Sequence, residues 1–145
     1  LGGLMKIGLY SEYARKHIVQ LRKKINRSGV GVTDDDMKSF RHTLIQSTSQ
    51  ADRQILLFDD FYCLDELKDL LFHVNEHRFT LTQIKKCLSE LDLDFCGFEA
   101  THLLREYKTR NPEADDCYDL EKWQVFEEQN QSLFANMYQF WCQKN

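Results

Sequence analysis

The chain is poor in residues that break or staple a fold. Pro112 is its only proline, and six glycines are spread over 145 residues, which excludes collagen-like and Pro/Gly-rich disordered classes. Its five cysteines, Cys63, Cys87, Cys96, Cys117 and Cys142, are odd in number and form no Cys-x-x-Cys pair. That fits a reducing compartment and a cytoplasmic location better than a disulfide framework, and the cysteines read as small buried apolar residues. No apolar run approaches the roughly 20 residues that cross a bilayer, so no membrane partner is expected. Basic residues are not in excess either: 19 Lys and Arg face 23 Asp and Glu for a net charge of −4, which argues against general nucleic-acid binding. The locally basic stretch 15–27 reads as a solvated helix face. No signal peptide, internal repeat, phosphate loop or Ser-His-Asp arrangement is visible. The start at Leu1, followed at once by Gly2, Gly3 and an apolar run, is expected of a fragment or a truncated reading frame.

What is present belongs to a globule. With 42% hydrophobic and 29% charged residues, the expectation is a single soluble domain over 1–145, burying roughly 70% of its unfolded surface. Residues 4–10, mostly apolar after a double glycine, predict a strand buried on both faces. Ser11 is positioned to cap a helix whose stripe is Ala14, Ile18, Leu21 and Ile25 and which Gly29 ends. Thr33 with Asp34, Asp35 and Asp36 opens a second helix facing inward through Met37, Phe40, Leu44 and Ile45. Residues 47–52 read as a loop. Leu64, Leu67, Leu70 and Leu71 recur at helical spacing, and Thr80 with Gln83 is a capping box for a helix with stripe Leu81, Ile84, Leu88 and Leu91.

Residues 93–100 predict a second strand, in which Gly97 admits a closely approaching backbone. Residues 102–108 form a short helix, 109–117 a surface loop, and Asp119 caps a helix anchored by Trp123 and Phe126. The tail fits helix through Phe134, Tyr138 and Trp141 and strand through Tyr138, Phe140 and Cys142. A helical turn followed by a terminal strand is the preferred form. Trp123 and Trp141 both read as core.

Titratable and aromatic residues are densest over 61–80. His73, Glu76 and His77 would sit where a helix stops and line a substrate pocket, with Arg78 pairing a carboxylate or phosphate. Equally, His73 caps its own helix and Glu76 pairs a neighbouring base. His73-Val-Asn-Glu-His77 matches the inverted zinc-peptidase pattern, but Asn75 and the cap at Thr80 end the helix too early for two ligands on one face, so no metal is assigned. Tyr62, Phe72 and Phe79 would stack on a planar substrate or serve as core. Tyr10 and Ser11 stand at the carboxyl end of the first strand, where ligands of open α/β sheets bind. Tyr10, Tyr62, His73, Glu76, His77 and Arg78 are the candidate substrate-binding residues; no catalytic residue is assigned.

Several stretches carry a family likeness. Leu1-Gly-Gly-Leu-Met-Lys-Ile-Gly-Leu-Tyr-Ser11, without the proline usual before the glycines, resembles the turn and fifth strand of class I S-adenosylmethionine-dependent methyltransferases. Asp69-Leu-Leu-Phe-His-Val-Asn-Glu-His-Arg-Phe-Thr80, Phe95-Cys-Gly-Phe98 and Met137-Tyr-Gln-Phe-Trp141 look like the C-terminal half of bacterial members, some fused to tetratricopeptide repeats. The resemblance implies a helix-rich α/β, partial Rossmann-like fold with a small sheet of about three strands, since the family's fifth, seventh and sixth strands are neighbours. It also implies that the first four strands and their glycine-rich loop are missing, because no Gly-x-Gly-x-Gly follows any strand. S-adenosylmethionine would then be the cofactor of the intact enzyme, while this chain alone binds no cofactor and transfers no methyl group. The fifth strand would become an open edge, inviting a homodimer. The alternative is a free-standing helical protein-binding module.

Overall fold

The computed structural model describes residues 2–72, 75–112 and 116–144. In chain order the elements are β1 (Leu4–Ser11), α1 (Lys16–Ser28), α2 (Asp34–Gln46), α3 (Gln50–Arg53), α4 (Leu64–Leu67), β2 (Arg78–Phe79), α5 (Leu81–Glu90), β3 (Leu93–Phe98), α6 (Thr101–Arg110), α7 (Leu120–Gln129) and β4 (Met137–Lys144). The fold is mixed α/β. Among the described residues no helix is long and apolar enough to cross a membrane. The chain forms two compact units, one made of Leu1–Ala14 with His77–Asn145 and the other of Arg15–Glu76.

The first unit carries one sheet in the order β2-β1-β4-β3. β4 runs antiparallel to both β1 and β3, whereas β2 is parallel to β1. The expected count of about three strands is therefore corrected to four. The missed strand, Arg78–Phe79, is two residues long and carries no alternation for a sequence reading to detect. β4 settles the ambiguous tail as strand: Tyr138, Phe140 and Cys142 alternate inward and are buried, and residues 131–136 form the turn before them. Its inward residues pair with Leu9, Ile7 and Met5 and meet Leu81, Ile84, Leu88, Leu103, Tyr107, Leu120 and Trp123 in one core. The aromatic centre of that core is Trp123, stacked on Tyr107 at 4.3 Å and edge-on to Phe98 at 4.9 Å.

Two expectations about the sheet are overturned. β1 is not buried on both faces: Leu4, on the side opposite Ile7 and Leu9, is 63% exposed, because within this unit the core helices pack against only one side. For the same reason Trp141 is not core; it lies opposite Lys6 on the outer face, where its indole N–H donates to Glu99. Gly97 sits at a β-bulge with φ of 120° and has no close backbone neighbour, so conformation and not proximity requires glycine there. Leu91, placed on the α5 stripe by spacing, is exposed just past the helix end. Thr80 and Gln83 form the expected capping box, and Asp119 caps α7.

The second unit is helical. Ile18, Leu21 and Ile25 of α1, Phe40 and Leu44 of α2, and Ile55, Phe61, Leu67, Leu70 and Leu71 share its core. Gly29 closes α1 in the left-handed region, and Thr33 with Asp36 makes a complete capping box. Ile45, expected inward, is half exposed. The loop expected over 47–52 contains α3, capped by Ser49, and α4 continues into a π-helical turn, Lys68–Phe72. The cysteines are not uniformly buried: Cys63 and Cys87 are exposed and only Cys142 is buried.

Candidate functional site

The first unit gathers its polar chemistry at the carboxyl end of β1. Tyr10 and Ser11 lie alongside Arg78 and Phe79 of β2, and the Glu12 N–H continues the ladder to the Phe79 carbonyl at 2.9 Å. The Arg78 guanidinium donates to the Glu12 carboxylate at 3.1 Å on a partly exposed surface, a pair worth at most about 1 kcal/mol. So Tyr10 and Arg78 of the candidate set are brought together, and Tyr10 is 38% exposed.

Beneath them lies a buried hydroxyl–carboxylate cluster. The Ser11 hydroxyl donates to Glu127 Oε1 at 2.5 Å and the Tyr138 hydroxyl to Oε2 at 2.7 Å, and all three residues are fully buried. Ser11 Oγ also accepts the Ala14 N–H at 3.0 Å. Ser11 is thus the last residue of β1 and the anchor of a turn, not the cap expected for α1, which starts later at Lys16. Beside this cluster the Tyr13 hydroxyl donates to Glu128, as does the Gln124 amide. Burial, then the Glu127 charge, pushes the Tyr138 phenol far above its ordinary value, so it remains a neutral donor. Tyr13 is raised first by its hydrogen bond to Glu128 and then by burial.

Glu127 escaped the sequence reading, although a signal existed. Leu120, Trp123, Gln124 and Glu127 follow the i, i+3, i+4, i+7 spacing of one buried helix face, and a carboxylate on such a stripe requires buried donors. Gln124 serves the same face by accepting the Leu81 N–H at 2.9 Å, which adds a second cap to α5.

The remaining candidates do not join this cluster. Glu76 lies in the helical unit, where Arg15 grips it at 3.0 and 2.5 Å and Arg22 at 2.9 Å. Arg22 also donates twice to the Leu70 carbonyl. The Glu76 and Arg15 side chains are 6% and 4% exposed, so Glu76 is held in a buried ion pair. Burial raises its carboxyl, but the hydrogen bonds and charge of Arg15, with Arg22 behind, outweigh it and hold the group below its ordinary value. The spacing carried this signal as well, since Arg15, the residue just before α1, and Arg22 fall seven apart, with Ile18 and Ile25 each three residues further on.

Tyr62 belongs to the helical unit too, its hydroxyl donating to the Leu56 carbonyl at 3.0 Å. Phe72 meets Phe40 edge-on at 6.2 Å and Phe79 packs on the sheet core, so the core reading of both holds. His77 is exposed beside Arg78. His73 lies outside the described residues, and with it the complete His-x-x-Glu-His pattern.

Compared with known proteins, the chain matches no protein-family model and no curated protein.

Proposed function

We propose that the chain is the C-terminal, substrate-side portion of a methyltransferase-like α/β domain, catalytically incomplete as it stands. The supporting observation is the strand order: β4 is inserted antiparallel between the parallel pair β1 and β3. This is the neighbour relation that the resemblance implies for fifth, seventh and sixth strands. The exposed polar groups Tyr10, Glu12 and Arg78 sit at the strand ends where open α/β sheets receive ligands, and Arg78 suits an anionic substrate group. No Gly-x-Gly-x-Gly occurs in the sequence, which supports the reading that this chain alone does not hold S-adenosylmethionine well.

The test is calorimetric titration with S-adenosylmethionine. The expected result is no saturable heat at millimolar cofactor; micromolar binding with methyl transfer would overturn the incomplete-enzyme reading. The genomic sequence upstream of Leu1 separates it from a free-standing protein-binding module. An upstream strand ending in Gly-x-Gly supports the enzyme, and a start codon directly before Leu1 supports the module.

The strand edge adds a second expectation. β2 pairs only with Tyr10 and Ser11, so among the described residues no strand pairs with that edge of β1 over residues 4–9. The strand lacks proline, and its only charged residue is Lys6. Such an edge is a template for another strand, and we propose that two copies pair there. Light scattering across micromolar concentrations is expected to give twice the chain mass; a strictly monomeric mass refutes the pairing.

A further inference from the structure

β3 is the outer strand at the end of the sheet away from β2, and the register shows which of its backbone groups are already used. Even-numbered positions at both ends of β4 bond to the β1 side: the Ser11 N–H donates to the Asn136 carbonyl, and the Lys144 N–H to the Gly3 carbonyl. Alternation along an antiparallel strand then turns Gln139, Trp141 and Gln143 toward β3, and the Glu99 N–H does donate to the Gln139 carbonyl at 2.8 Å. Gln143 is the partner of Asp94. Leu93 and Phe95, on either side of Asp94, therefore turn their N–H and C=O groups outward, roughly 7 Å apart along the edge. Among the described residues no backbone group pairs with them there. The bulge between Phe95 and Gly97 breaks the ladder beyond, so the usable edge is short.

The side chains of Leu93 and Phe95 pack on the core face of the sheet, and a cavity of about 350 Å³ opens beside them. Leu88 near the end of α5, Leu93, Phe95, and Tyr118 and Leu120 at the start of α7 wall it. This is just above the roughly 300 Å³ at which ligand pockets begin, room for one large side chain. Tyr118 is an exposed aromatic wall. The surroundings carry surplus negative charge. Lys85 is shared by Asp119 at 3.5 Å and Glu121 at 3.0 Å, Lys144 bridges to Asp92 at 3.5 Å, and Asp94 is exposed at the edge itself. Two ammonium groups thus face four carboxylates.

We infer that this edge and cavity together receive an extended peptide carrying one large apolar side chain flanked by Lys or Arg. The peptide adds a short strand to β3, the mode in which main-chain bonds give affinity and a side-chain pocket gives specificity. Its apolar residue lies opposite Leu93 or Phe95 and exchanges backbone bonds with it. Directly opposed residues share a face, so that side chain enters the cavity. Its basic neighbours alternate to the other face, where they meet Asp94. This inference goes beyond the methyltransferase-like reading and uses neither S-adenosylmethionine nor the edge of β1.

Amide NMR of the whole chain tests it with an end-blocked pentapeptide, threonine-lysine-phenylalanine-lysine-threonine. Saturable shifts and slowed hydrogen exchange are expected at the Leu93 and Phe95 amides, with Lys6 and Gly8 unmoved. Replacing the phenylalanine by alanine should weaken binding at least about tenfold. Methylating the phenylalanine nitrogen, which removes one ladder donor, should weaken it roughly fivefold. The exposed substitution Asp94→Lys should weaken the lysine peptide about two- to fivefold and favour a glutamate-phenylalanine-glutamate version. Absence of saturable shifts, equal affinity for the alanine or N-methyl peptide, or unchanged charge preference in the Asp94→Lys variant would each overturn the proposal. So would concentration-dependent shifts of Leu93 and Phe95 without peptide, which would make a second copy the occupant.

Discussion

Glu76→Ala is expected to destabilise the helical unit by about 3–5 kcal/mol, because it removes the carboxylate on which two buried guanidinium groups converge. Arg15 and Arg22 both converge on this one carboxylate at 2.5–3.0 Å, and neither reaches water easily at 4% and 13% side-chain exposure. Glu76→Gln preserves shape and one acceptor oxygen and should cost less, about 2 kcal/mol. The readout is native-state hydrogen exchange. Protection should fall at the amides of α1, α4 and the Leu70 turn, while β1 and β4 retain theirs.

The pH dependence follows in sign from the depressed Glu76 carboxyl. A group whose folded value lies below its ordinary 4.5 contributes stability that is complete above 4.5 and is lost as pH falls through the lowered value. Parent protein should therefore lose protection in this unit below about pH 4.5, and the alanine variant should lose that part of its acid sensitivity. An unchanged acid profile would show that the ion pair is not what holds the unit together.

Glu127→Ala is expected to cost the sheet unit a comparable amount, about 3–5 kcal/mol. Two hydroxyls, on Ser11 and Tyr138, lose a charged acceptor at 2.5 and 2.7 Å while remaining buried, at roughly 1.5–3 kcal/mol per bond. Tyr138→Phe removes only one donor and should cost about 2 kcal/mol. Because both donors share the carboxylate, Ser11→Ala and Tyr138→Phe should be non-additive by about 1 kcal/mol in a double-mutant cycle. Urea unfolding followed through tryptophan fluorescence reports this directly, since Trp123 lies one helical turn from Glu127 on the buried face of α7. Strict additivity would mean that the two hydroxyls act separately.

The elements themselves were largely legible. The N-cap at Thr33, the capping box at Thr80, the Gly29 terminus, the inward triplet Ile18, Leu21 and Ile25, and the alternation of Tyr138, Phe140 and Cys142 all depend on residues close in sequence, whose periodicity records which side is buried. The polar cluster was less legible. His77 and Arg78 follow Glu76 directly, yet the unit boundary falls after Glu76, so neighbours in sequence serve different cores. Tyr10 and Arg78 do meet, through a strand pairing between residues 68 apart, counted as 78 minus 10. Ser11 meets Glu127 across a separation of 116 residues.

Local order alone, through helix caps, apolar stripes and strand alternation, was sufficient to mark most helices and three of the four strands, because each depends on interactions within a few residues. Tertiary packing decided the rest: the fourth strand, the open outer face of β1, and which charges became buried partners. The physical reason is that an acid or base on an otherwise apolar face is favourable or ruinous according to what faces it. Arg15, Glu76 and Glu127 found their partners only when distant parts of the chain came together.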